Sequence, residues 1–182
     1  MRNAVRRRGV RRGLIMVTLL GLLATFGGCS DPAAPDTVEV TAGRLTASRP
    51  AAWVTPVTAE APWNAGFRLT PDSIEQIQFS GDFGQYATAA QAVGTLIGRA
   101  QVKLANFTVV ETRDITVDGA TTAQLVRYTI TDNSGSQVFG SWIVAAHWPY
   151  PQSVAVSVLT PKYDPELERQ VLSSLRMRPQ LG

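Results

Sequence analysis

Residues 108–160 read TVVETRDITVDGATTAQLVRYTITDNSGSQVFGSWIVAAHWPYPQSVAVSVLT, and the reading of this stretch decides the fold. Its runs of Val, Ile, Thr and aromatic residues are interrupted at Asp118 and Gly119, at Asp132 to Gly135, and at Trp148, Pro149, Tyr150 and Pro151. Runs of that composition between turn-forming residues are strands. The spacing predicts four of them, over 108–117, 121–131, 137–147 and 153–160. Short turns join neighbours antiparallel, so the set is a meander, and Asp118 with Gly119 suits a two-residue hairpin.

The side chains also say how the sheet is covered. Val126, Tyr128 and Ile130 share one face of the second strand. In the third, Trp142 and Val144 point one way and Phe139, Ile143 and Ala145 the other. A sheet with one wet face would keep a polar alternate row, so both faces need a cover. The first is a helix from about Tyr86 to Ala105, where Ala89, Val93, Leu96, Ile97, Ala100 and Leu104 recur at helical spacing. Gly94 and Gly98 lower its propensity and are expected to allow close packing on the sheet. The second cover is a helix from Asp164 to about Met177. Asp164 caps it, Pro165 fits its first position, and Glu166 and Glu168 suit its positive end. Leu167, Val171, Leu172 and Leu175 face inward, Arg176 suits the negative end, and Pro179 is the expected stop. The fold class is therefore α+β, an antiparallel meander with a helix on each face.

Upstream the pattern is weaker. Residues 44–48, 66–69 and 73–80 read as short strands with Ile77 and Phe79 packing inward, and the prolines between residues 51 and 71 favour loop or edge structure. The amino-terminal segment has a different character. Six arginines precede an apolar run from Leu14 to Phe26, and the small pair Gly27 and Gly28 stands before Cys29. This is the three-part plan of a secretory signal, and the run is short of the ~20 apolar residues that cross a bilayer. Arg11 and Arg12 leave both general secretory and twin-arginine export open. A cysteine placed after two small residues resembles the lipobox of bacterial lipoproteins. It implies cleavage between Gly28 and Cys29 and a diacylglyceryl group on the Cys29 thiol. Cys29 is the only cysteine, so an internal disulfide is excluded. The expected organisation is a signal peptide over 1–28, an acylated terminus and tether over 29–39, and one globular domain over 40–182.

Export changes the meaning of the charge. The chain carries 17 basic and 14 acidic residues, and loss of the six leader arginines leaves 11 basic residues and a formal charge near −3. The basic balance belongs to the leader, and no clustered Lys and Arg remain for nucleic acid.

The order of early short strands, one helix, a four-stranded meander and a closing helix is similar to the PsbP-like fold of actinobacterial LpqN-type lipoproteins. Arg49, Pro50 and Trp53, the hairpin at Asp118 and Gly119, the strand 124–131 and the run Leu172, Ser173, Ser174 and Leu175 carry the resemblance over about residues 40–178. It implies an α/β/α sandwich used as a non-catalytic binding domain of the cell envelope, and it transfers no active-site residue.

Candidate chemistry is sparse. His147 is the only histidine, so multi-imidazole metal sites are not expected, and no Gly-rich phosphate loop or G-x-S-x-G elbow occurs. No cofactor is predicted. Trp148 and Tyr150 either present a surface to a partner or fold back over the sheet edge, and Trp53 and Trp63 either line a groove or belong to the core. The expected function is a lipid-anchored binding or scaffold protein on the outer face of the cytoplasmic membrane. Its partner would be an envelope lipid, glycan, small hydrophobic ligand or membrane protein. The alternative is an envelope hydrolase, which needs Asp82, Glu111 or His147 to converge in a cleft.

Overall fold

The meander forms where the residue pattern puts it. In the computed structural model, residues 36–131 and 135–180 are described. Five short to medium strands come first: β1 (Thr37–Ala42), β2 (Leu45–Pro50), β3 (Thr55–Pro56), β4 (Ala65–Arg68) and β5 (Gln76–Gly84). Helix α1 (Ala89–Lys103) leads into β6 (Phe107–Ile115), β7 (Thr122–Thr131), β8 (Gln137–His147) and β9 (Gln152–Thr160), followed by α2 (Pro165–Ser174) and β10 (Arg176–Met177). The main sheet has seven strands in the order β3-β4-β5-β9-β8-β7-β6, all antiparallel, and a small sheet has the order β1-β2-β10. Residues 34–182 cluster as one unit with its own cores.

Each face of the main sheet has its own core. On one side Val126, Tyr128, Trp142, Val144 and Ala155 pack with Ala89, Ala92, Val93, Leu96 and Ala100 of α1. On the other, Ile77, Phe79, Leu125, Ile143, Val154, Val156 and Val158 pack with Leu167, Val171 and Leu175 around α2 and with Leu45 and Ala47 of the small sheet. The two-faced cover predicted from the strands is present, although the small sheet shares the second face with α2. Each fully buried aliphatic side chain adds roughly 1.5–3 kcal/mol from apolar burial.

Local chemistry fixes the helix starts. Thr88 caps α1 by accepting from the Gln91 amide, and Gln91 Oε1 accepts from the Ala87 amide, a reciprocal pair. The Thr122 hydroxyl accepts from Ala89 N at 2.8 Å and ties that end to β7. Asp164 Oδ1 caps α2, accepting from Glu166 N and Leu167 N at 3.1 and 2.9 Å.

Four details differ from the sequence reading. Strand β1 begins at Thr37, inside the segment taken as tether, because its backbone pairs with β2 from Thr37 opposite Pro50. Helix α2 ends at Ser174, well before Pro179, since Leu175 turns extended and Met177 joins β10 against β2. Leu175 and Met177 are both buried, which is period two, not helical period. The β6–β7 connection is wider than a two-residue hairpin. Asp118 and Gly119 do turn, with Ala120 N donating to Val117 O, but the Asp118 carbonyl accepts from Met177 N at 2.9 Å and is committed to the chain's end. Gly119 sits at φ 81°, and a Cβ there would lie 1.8 Å from the Met177 carbonyl oxygen, so only glycine fits. Finally, Gly94 and Gly98 do not pack on the sheet: both are exposed, and a Cβ on either would meet nothing within 4 Å. Their positions fall on the helix face opposite the one that Ala92, Val93, Leu96 and Ala100 bury. The leader, the cleavage site at Gly28 and Cys29, and most of the tether lie outside the described residues.

Candidate functional site

The strand register builds a depression under the last turns of α1. Across the sheet, Gln78, Ser157, Trp142 and Val126 stand in one row, and Gln76, Leu159, Gly140 and Tyr128 in the next. Gly140 leaves a gap in the second row, and the ring of Tyr128 lies across it. A Cβ on Gly140 would come within 2.1 Å of that ring. Trp142 packs beside it with ring centroids 4.2 Å apart, and Phe107 stacks on Trp142 at 5.6 Å. Burial pushes the Tyr128 phenol up to about 12, against the opposing effect of hydrogen bonds with Ser157 and Trp142. It stays a neutral floor group at physiological pH.

One wall is α1, through Leu96, Arg99, Ala100, Lys103 and the cap residue Leu104. The opposite wall is the loop Glu60 to Trp63, which the sheet holds in place. Ser80 Oγ donates to Pro62 O at 2.5 Å, Asn64 N donates to Phe79 O at 2.8 Å, and Asn64 Oδ1 accepts from Gly81 N at 2.8 Å. Trp63 also leans on Phe83 at 6.1 Å. The groove between these walls has a volume of about 330 Å³, inside the ~300–1,000 Å³ common for small-molecule sites.

Its chemistry is split. Tyr128, Ile130, Trp142 and Leu159 make the floor apolar, Gln76, Gln78 and Ser157 place polar groups along one side, and Arg99, Lys103 and Glu60 stand at the mouth. Among the described residues, neither the Arg99 nor the Lys103 side chain makes a hydrogen bond or ion pair.

The structure divides the four aromatic candidates. Trp63 lines the groove, whereas Trp53 is core, 7% exposed beside Leu45 and Phe79. Trp148 and Tyr150 project from the β8–β9 turn and are 55% and 49% exposed, so they do not fold back over the sheet edge. Tyr150 borders a second, polar hollow of about 380 Å³ with Arg44, Asp82, Gln85, Gln152 and Gln180. Most of its polar groups are spent on one another: Arg44 binds Asp82 and Gln180, and the Gln152 amide bonds the Gln180 backbone in both directions.

The three groups that a hydrolase would need are not brought together. Asp82 pairs with Arg44 and Glu111 with Arg127, while His147 Nδ1 lies 3.3 Å from Gly119 O. Four strand spacings separate β5 from β6, which puts Asp82 and Glu111 roughly 20 Å apart. Glu111 shares a row with Arg127 and Ser141, and His147 is a further ~20 Å along β8.

A buried carboxylate on the other face escaped the sequence reading. Glu168, 5% exposed, takes a forked pair from Arg127 at 3.0 and 2.6 Å and accepts from Ser141 Oγ at 2.9 Å. Arg127 also binds Glu111 at 2.5 Å and lies 4.8 Å over the Tyr163 ring. Burial pushes the Glu168 carboxyl up, but hydrogen bonds from Arg127 and Ser141 and the charges of Arg127 and Arg113 outweigh it, so the net shift is downward. Every member is paired, as in a structural clamp between α2 and the sheet. Comparison with models of known protein families and with curated proteins finds no match for this chain.

Proposed function

We propose that this chain is a membrane-anchored lipoprotein on the outer face of the cytoplasmic membrane, and that its domain is a non-catalytic binder whose ligand site is the groove under α1. The single observation that carries the binding reading is that groove. It is a concave, apolar-floored space with a few convergent polar groups, lying between a helix and a sheet where ligand sites form. The leader and Cys29 carry the location. The element order, with its early strands, long helix, meander and closing helix, is compatible with the resemblance to LpqN-type lipoproteins, and that resemblance favours binding over catalysis. The distance of Glu111 from Asp82 and His147, and the pairing of Asp82 with Arg44, give no support to hydrolysis.

Native mass spectrometry of residues 34–182, expressed in the source organism, tests the binding reading. A co-purifying small molecule that is displaced when the groove is filled by substitution at Ser157 is the expected result. A clean apo mass, with no small molecule or protein retained, would count against it.

A further inference from the structure

We infer that the groove takes a single-chain amphiphile with a monoanionic carboxylate head, of the fatty-acid class, with its chain along Tyr128, Trp142 and Leu159 and its head at Arg99 and Lys103. This rests on the groove being the ligand site, and it goes further by naming what the site recognises. Three observations converge. The floor is aromatic and aliphatic, which fits a hydrocarbon chain. The mouth holds two cations one helical turn apart, neither with a partner among the described residues, against the single carboxylate of Glu60. That balance leaves one positive charge, which matches a monoanion better than a dianion or a neutral sugar. The space, about 330 Å³, stands near the lower bound of ~300 Å³ for ligand sites and has room for one chain, not two.

The two cations are not equivalent. Lys103 lies in the last turn of α1, where a positive charge also suits the helix's negative end. Arg99 is a turn earlier and has no such role. It lines the groove, and its guanidinium offers the planar fork that matches a carboxylate. Arg99 is therefore expected to orient the head, with Lys103 adding charge.

Residues 34–182, which hold both cores, are titrated with dodecanoate, dodecyl maltoside and dodecyltrimethylammonium below their micelle concentrations, with NMR detection. Dodecanoate is expected to bind most tightly and to shift the indole signals of Trp63 and Trp142, but not those of Trp53 and Trp148, which report on the opposite core and the exposed tip. The pair Arg99→Gln and Lys103→Gln, both on exposed helix positions, should weaken dodecanoate about tenfold while leaving the fold intact. Arg99→Lys should restore part of the loss if the added charge matters, and less than the native fork restores. Equal binding of all three amphiphiles, unchanged in the double variant, would overturn the anionic assignment and leave the groove standing as a ligand site. Shifts at Trp148 alone, or no binding by any of the three, would overturn the assignment together with the proposal on which it rests.

Discussion

Whether a glycine helps or harms here depends on which side of its element it faces. Gly140 stands on β8 opposite Tyr128, whose ring occupies the place a side chain would take, with no room for one more carbon. Gly140→Ala should displace that ring, destabilise the domain by about 1–3 kcal/mol as overpacked sites do, and abolish groove binding. Urea unfolding and the near-ultraviolet signal of Tyr128 and Trp142 would read both effects. Gly94 and Gly98 give the opposite sign to the same substitution. Each is an exposed interior position of α1 with open space around it, so alanine should add about 1 kcal/mol apiece through helix propensity. The urea midpoint should rise with an unchanged slope, and a fall would mean that something outside the described residues packs against that face.

The elements show why some of this was legible in the sequence and some was not. The cap of α2 could be read because its signals are adjacent: Asp164, Pro165 and Glu166 are consecutive, and Asp164 accepts from the next two free amides. Asp164→Ala should cost about 1 kcal/mol for that reason. The meander was legible too, since alternation and turn residues are local, as was the need to cover both of its faces. Glu168 does stand in the first turn of α2, as read, but its burial and pairing were not legible because its partner Arg127 lies 41 positions away, and their meeting depends on a register that places Arg127 between Glu111 and Ser141. A groove beside Trp63 could be suspected from the sequence, but its floor could not, because Gly140 shows as a gap only once Leu159 and Tyr128 flank it. The pH behaviour of the clamp follows from its sign. A carboxyl held below its ordinary value stabilises the fold above its unfolded pKa, near ~4.3 for glutamate, and the gain is lost as pH falls through the lower folded value. Glu168→Gln should therefore cost about 2–3 kcal/mol at pH 7, toward the low end for a broken buried pair because Arg127 keeps Glu111 and some solvent. The difference from the native chain should shrink below about pH 4 as Glu168 itself becomes neutral, and a gap that stays constant down to pH 2 would show that its charge contributes nothing.

At the scale of the whole molecule, the proposed anchor and the proposed binding site are separate parts of the chain. The two cores, the clamp and the groove lie within residues 36–180, whereas the proposed attachment is a thiol ahead of them. No helix among the described residues is long and apolar enough to cross a membrane. Under the proposed anchoring, membrane association comes from the acyl group on Cys29, and one acyl chain alone would hold only marginally. Labelled palmitate should enter the native chain, and Cys29→Ala should abolish that incorporation and move the protein from the membrane to the soluble fraction. The released form should bind dodecanoate with unchanged affinity, since no groove residue is altered. Retention of Cys29→Ala on membranes without palmitate labelling of the native chain would remove the anchor while leaving the binding domain intact. Release accompanied by loss of binding would mean instead that the groove depends on the segment ahead of β1.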